Sequence, residues 1–266
     1  MSARDKGIVI ARLERYALPL AVFVLLMAAW EAVVRGYDIP TYLVPAPSAV
    51  AGAFYRGFTE ANYLWHAAIT GFQAITGFLA GSALGIALGV WVVVFPSAER
   101  IVFPYIVALQ TVPKVAIAPL MIVWFGFGIE SKIIIVALVS LFPVLVNVIA
   151  GLKSVDQDRL DLMSALSATR WQVLRYLRFP NALPFIFAGL NTAIVFSVIG
   201  AIVGEFVGAN RGIGFLILQA NFALDIAAAF ALFVVLSIMG VALHWTLRRI
   251  EARVVFWAQA EEHFRT

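Results

Sequence analysis

The 266 residues contain no cysteine, which excludes disulfides, thiolate catalysis and Cys-ligated metal from this chain. Charge is scarce as well: Asp, Glu, Lys and Arg make up 13% of the sequence against 63% apolar residues, too little polar surface to solvate a globule of this size. The three histidines, His66, His244 and His263, stand in separate segments, so no metal site is expected. No Gly-rich loop ending in Lys-Ser or Lys-Thr occurs, so the chain has no phosphate loop of its own for ATP. Internal repeats and low-complexity tracts are also missing, and one membrane domain over 1–266 is expected.

What the sequence does have is long apolar runs and a mean hydropathy of +0.96. A membrane β-barrel needs short segments of alternating polarity, whereas Ile133 to Ala150 is almost continuously apolar, so the barrel is set aside. The fold class expected is an all-α membrane protein, a six-helix transmembrane bundle. The runs predict spans at about 16–34, 67–95, 101–125, 131–151, 184–208 and 226–247.

Lys and Arg are distributed unevenly between the intervening segments. Fourteen fall on one side: Arg4, Lys6, Arg12, Arg15, Arg100, Lys153, Arg159, Arg170, Arg175, Arg178, Arg248, Arg249, Arg253 and Arg265. The opposite loops hold only Arg35, Arg56 and Arg211, with Lys132 at a span edge and Lys114 inside a span. By the positive-inside rule both termini are expected in the cytoplasm. Reading Ala17 to Trp30 as a cleaved signal segment breaks this tally, and a retained span is the simpler account. In the loop that follows, Ser48 is a candidate helix cap, and Tyr63 and Trp65 suit an interfacial position.

The stretch 152–183 differs from the rest. It is polar and helix-favouring, with Asp156 and Asp158 as N-cap candidates. Leu160, Met163 and Leu166, then Trp171, Leu174 and Leu177, recur near a helical turn. A short amphipathic helix of this kind needs a surface to cover its apolar stripe. On amphipathicity alone the inner membrane surface and a protein partner are equally good.

The run from Asp161 through Met163, Ser164, Ala165, Leu166 and Ser167 to Arg170-Trp171, with Pro180 downstream, resembles the loop that marks permeases of bacterial ABC importers. That pattern is Glu-Ala-Ala, three residues, Gly, nine residues, Ile-x-Leu-Pro. Asp161, Leu162 and Met163 replace Glu-Ala-Ala, and Ser167 replaces the glycine. Leu43-Val44-Pro45-Ala46-Pro47-Ser48, Pro113-Lys114 to Pro119-Leu120, Trp124 to Gly128 with Lys132, and Gly204-Glu205 with Arg211 to Gly214 are similar to permeases of the nitrate, sulfonate, taurine and bicarbonate type, over nearly the whole chain. A departure is Gln73, where that subfamily often carries Arg. The resemblance implies a type I importer fold whose helix at 152–183 couples to the ATPase. It also implies a second permease copy, two cytoplasmic ATP-binding subunits and a periplasmic or lipid-anchored solute-binding protein. No cofactor is expected on this chain, and ATP and Mg belong to the partner ATPase. The solute class expected first is a small anion such as a sulfonate or nitrate, with a neutral heterocycle such as a vitamin or its precursor as the alternative.

The polar residues inside the spans are candidates for the solute path. Lys114, between Pro113 and Pro119, is costly in hydrocarbon unless paired or hydrated, and reads either as a pore cation or as a snorkelling lysine. Glu205 reads as an ion pair with Arg211 or Lys114, or as a gate residue. Gln73, Asn147, Asn191 and Ser197 either line a path or bridge helices. Gly77, Gly81, Gly85 and Gly89 repeat every four residues, which permits close helix contact in a dimer or within the chain. A secondary transporter predicts midmembrane carboxylates or an inverted repeat, and a membrane enzyme predicts clustered nucleophiles or metal ligands. Neither pattern is found.

Overall fold

The computed structural model describes residues 3–257, and the side chains of 17–257 apart from Pro96, Glu99, Phe103, Val107 and Val115. The side chains of Arg4, Lys6, Arg12 and Arg15, and all of His263 and Arg265, lie outside the described residues. Among the described residues there is no strand. The helices are α1 (Ala3–Gly36), α2 (Pro47–Thr59), α3 (Tyr63–Val94), α4 (Pro96–Thr111), α5 (Ala118–Phe125), α6 (Ile129–Lys153), α7 (Gln157–Ala165), α8 (Arg170–Val173), α9 (Phe179–Gly208), α10 (Ile213–Phe222) and α11 (Ile226–Val254).

Among the described residues, five segments are long and apolar enough to cross a bilayer: Ala17–Gly36, Tyr63–Val94, Ile129–Lys153, Arg170–Gly208 and Ile226–Val254. The span expected at 101–125 is broken. Pro113 disfavours the helical region for the residue before it, and Val112 accordingly ends α4 in extended backbone, φ −66° and ψ 126°. A 3₁₀ turn over Lys114–Ile117 follows. Pro119 then starts α5, which stops at Gly126, φ +79°, a left-handed conformation that glycine adopts without a Cβ penalty.

The chain forms two compact units. Met1–Tyr63 with Ile217–Phe233 make one; Leu64–Leu216 with Val234–Thr266 make the other. In the first, Glu31 of α1 holds the start of α2. Its carboxylate accepts from the Ser48 amide (3.0 Å) and the Ser48 hydroxyl (2.7 Å), and Arg35 Nε donates to it at 2.5 Å. The cap expected of Ser48 is thus inverted: the hydroxyl makes no cap bond within α2, and a carboxylate from another helix takes the amide instead. Nearby, a Cβ on Gly57 would fall 2.1 Å from the Tyr63 ring, so α2 meets the start of α3 closely only because position 57 has no side chain.

In the second unit α6 and α9 pack antiparallel. Gly151 meets Ala182 and Phe185, Gly189 meets Pro143 and Val144, Gly200 meets Val136, and Gly204 meets Lys132. The glycines of α3 lie on α6 in parallel order: a Cβ at Gly77 would strike Val136, at Gly81 the Ala137 carbonyl, at Gly85 the Leu141 carbonyl, and at Gly89 Val148. Backbones therefore approach along four turns, where dispersion contacts, not the hydrophobic effect, hold helices together in lipid. Gly71 faces Met239, and Asn191 donates to Glu251 of α11 at 2.8 Å. From these pairings the ends of α3, α6 and α11 and the start of α9 share one end of the unit. Lys153, Arg178, Arg248, Arg249 and Arg253 belong to that end, and Lys132 and Arg211 to the other.

Candidate translocation recess and docking loop

The break at Pro113 opens a recess of about 590 Å³, lined among others by Lys114, Phe142, Asn147, Thr192 and Phe196. Losing the helical ladder frees the Gln110 carbonyl, and Lys114 Nζ donates to it at 3.0 Å while standing 4.6 Å from the centroid of the Phe142 ring. A cation over an aromatic face gains from the ring quadrupole, but among the described residues no carboxylate lies in ion-pair range of Lys114. Asn147 donates to Pro143 O (2.8 Å) and Thr192 to Ala188 O (3.1 Å), so both side chains fold onto their own helices. The recess is mostly apolar with one ammonium at its edge. Of the six path candidates, Lys114 and Asn147 share it, and Phe142, Thr192 and Phe196 join them unforeseen. Their signal lay in the helical spacing of 142, 146 and 147 on α6 and of 192, 196 and 199 on α9.

Glu205 and Gln73 lie elsewhere, at the opposite end from the basic loop. Glu205 is 0% exposed; its Oε1 accepts from Thr70 Oγ1 at 2.8 Å and its Oε2 from the Gly214 amide at 2.7 Å. Thr70 Oγ1 accepts in turn from the Ile213 amide, 2.8 Å, and His66 Nδ1 accepts from the Gly212 amide, 3.0 Å. Three successive orphan amides at the start of α10 thus find acceptors on α3 and α9. A carboxylate is favoured there by the helix dipole. Gly212 has φ +107°, and a Cβ on it would sit 2.1 Å from Glu205 Oε1. Lys132, 1% exposed, donates to Phe127 O (2.9 Å) and Gly208 O (2.6 Å), capping the carbonyl end of α9, and attracts the Glu205 carboxylate electrostatically. Glu205 has neither Arg211 nor Lys114 as its partner. Gln73 is 3% exposed, and its Oε1 has no hydrogen-bond partner among the described residues; it lies beside a second cavity of about 480 Å³ that Trp65, Lys132 and Arg211 also line. Asn191 is held by Glu251, and Ser197 donates to Ile194 O, 2.7 Å.

Between α6 and α9, the expected single amphipathic helix is two helices with a tight turn. Asp156 caps α7, accepting from the Asp158 amide at 3.4 Å, and Gln157 donates to Asp161 at 2.9 Å. The helix ends in paired bonds, Ala168 N to Met163 O (3.0 Å) and Ser167 N to Ser164 O (2.9 Å), with Ser167 left-handed at φ +52°. This is the Schellman arrangement, whose left-handed residue is usually glycine. Thr169 and Gln172 form a reciprocal capping box at the start of α8. One π turn over Leu174–Arg178 then joins α8 to α9 ahead of Pro180, which has no amide to continue the ladder. Leu162, Leu166 and Trp171 are 61%, 69% and 65% exposed, as are Ala165 and Arg170, while Met163 is half-buried.

Residues 81–256 match the family model described as "Binding-protein-dependent transport system inner membrane component". The riboflavin transport system permease protein of Chloroflexus aurantiacus is 32% identical over 247 residues, 92% of either chain. The taurine transport system permease protein of Escherichia coli is 30% identical over 249 residues, 92% of this chain and 90% of that one. In the solved structures, a chain of the MetNI methionine ABC transporter superposes with a TM-score of 0.64 at 19% identity, covering 75% of this chain and 97% of that one, which establishes the type I importer fold. The chain is a multi-pass membrane protein whose role is transport, with ATP hydrolysis residing on a separate subunit. It belongs to the family of inner-membrane components of binding-protein-dependent transport systems, the permeases of ABC importers.

Proposed function

We propose that two copies of this chain form the solute path of an ATP-driven importer, with both termini cytoplasmic, the 157–173 segment docked on an ATP-binding subunit, and a solute-binding protein delivering solute at the opposite face. The observation that carries this reading is the doubly capped loop between α6 and α9 with Leu162, Leu166 and Trp171 facing solvent. Apolar side chains on a rigid, capped segment joined to a membrane span without a break are suited to receive a partner's motion and pass it on. Asp161, Met163, Ser164, Ala165, Leu166, Ser167, Arg170, Trp171 and Pro180 are assigned to this coupling element.

Within the path, Lys114 and Asn147 are assigned to the recess, and the solute is a small organic or inorganic anion drawn to the one ammonium there. A second reading, a neutral heterocycle, is favoured by the riboflavin permease among the relatives and by the aromatic rings of Phe142 and Phe196 on the recess wall. The test is uptake and solute-stimulated ATP hydrolysis by the assembly of this chain with the ATPase and binding protein of its own operon, in nanodiscs. Leu166→Asp and Ala165→Glu are expected to abolish stimulation while the chain folds. Wild-type stimulation and uptake in both variants would remove the loop from coupling.

A further inference from the structure

Behind the loop lies a cavity of about 290 Å³, to which the 157–173 segment contributes Leu160, Ser164, Ala168, Arg170 and Val173. Its walls include Val93 and Val94 from the last turn of α3, Leu160 and Ser164 of α7, and the two arginines Arg170 and Arg178. Leu160 and Ser164 are one turn apart on one face of α7, whereas the exposed Leu162 and Leu166 lie on the other, because two residues of helix turn by roughly 200°. The cavity therefore opens on the side of the loop turned toward the end of the α3 span, away from the face assigned to the ATPase. Arg178 Nε is shielded from solvent and donates to no acceptor among the described residues. A buried guanidinium N–H without a partner calls for one, and the planar fork of arginine matches the oxygens of a phosphate.

We propose that this cavity is a binding site for the phosphodiester headgroup of an anionic membrane lipid of the phosphatidylglycerol type. Val94 closes an apolar span of 32 residues, so the cavity sits at headgroup depth, where basic pockets between helices hold anionic headgroups. Arg178 and Arg170 take the phosphate oxygens, the Ser164 hydroxyl takes a further oxygen or a glycerol hydroxyl, and Val93, Val94 and Leu160 border the start of the acyl chains. Bound there, the lipid ties α7 and α8 to the end of α3.

Native mass spectrometry of the full-length chain, released from nanodiscs of phosphatidylcholine with graded phosphatidylglycerol, tests this. One phosphatidylglycerol per chain is expected to survive delipidation. Its retention is expected to fall about fivefold in Arg178→Gln, to recover in Arg178→Lys, and to stay unchanged in Arg175→Gln, a neighbouring exposed arginine outside the cavity. Thermal midpoints of each variant in phosphatidylcholine alone separate lipid loss from misfolding. Equal retention of the two lipids, or an equal loss in Arg175→Gln, would reduce the effect to a general basic surface and overturn the site. Displacement of the lipid by inorganic phosphate at millimolar concentration, with equal stabilisation by phosphate alone, would make it a free-anion site and overturn the lipid assignment.

Discussion

Glu205 Oε2 accepts the Gly214 amide at 2.7 Å, and the same carboxylate fills the space beside Gly212 that a methyl group would need. A buried acid in a span is thereby spent on the start of α10, and the glycines 212 and 214 are what let the loop close around it. Gly212→Ala meets both a φ of +107° and a contact of 2.1 Å. The expected cost is about 3 kcal/mol or more, seen as a thermal midpoint lower by at least about 5 °C in detergent. Gly240→Ala, where nothing lies within 4 Å of the added Cβ, is the control and should not lose stability. Equal midpoints for the two variants would mean that the loop is not built around Glu205.

Lys132 and Glu205 are both fully buried and each is bound to backbone at a helix end. Removing one strands the other, which for buried charges costs about 3–5 kcal/mol. Lys132→Met and Glu205→Gln are each expected to destabilise strongly. Their combination is expected to cost less than the two added together, because neither leaves a lone charge. Strict additivity of the three midpoints would show that the two side chains do not sense one another.

The family pattern has glycine where this chain has Ser167, and the left-handed φ of +52° gives the reason. Ser167→Gly is expected to stabilise the turn by about 1 kcal/mol, read as slower amide exchange over 157–170, with transport coupling kept. Ser167→Val, with a branched side chain, is expected to speed exchange. Faster exchange in the glycine variant would count against the Schellman turn.

The four-residue glycine stripe meets α6 inside the same chain. Gly81→Ala places a methyl 2.3 Å from the Ala137 carbonyl, a backbone atom that cannot swing aside, so the thermal midpoint of the chain should fall even under conditions that separate the copies. A shift in the dimer fraction at constant midpoint would instead place the stripe between chains.

Much of this was legible beforehand. Long apolar runs coincide with the five described helices long and apolar enough to cross a bilayer, and the run expected at 101–125 is interrupted at Val112, where Pro113 imposes an extended residue that hydropathy averaging does not register. The loop was legible as helix-forming, but its stripe was read through Leu166 into Trp171 as one helix. The left-handed Ser167 stops it, a position that glycine would have announced and serine concealed. Glu205 was visible as a buried acid, yet its partners were not. They are the Gly214 amide and a threonine 135 positions away, and a backbone donor leaves no mark in composition. Lys132 stands at a span edge in the sequence, but the carbonyls of Phe127 and Gly208 that it caps leave no mark there.

Lys114 decides between the two solute classes. Among the described residues its ammonium has only the Gln110 carbonyl and the Phe142 ring as partners, so a passing anion meets a cation whose charge no described carboxylate cancels. Lys114→Gln keeps a polar side chain of similar reach and removes the charge. For an alkanesulfonate or nitrate the loss of one charge-assisted contact is expected to lower uptake about tenfold, with Lys114→Arg restoring most of it. For an uncharged heterocycle such as a flavin, the same variant leaves uptake near wild type, because stacking on Phe142 and Phe196 needs no ammonium. Solute-stimulated ATP hydrolysis recorded beside uptake keeps the comparison clean: stimulation that persists while uptake falls places the defect in the path and not in delivery. Equal loss for charged and uncharged solutes would show that Lys114 holds the Pro113 break in shape, and the recess would lose its claim to select by charge.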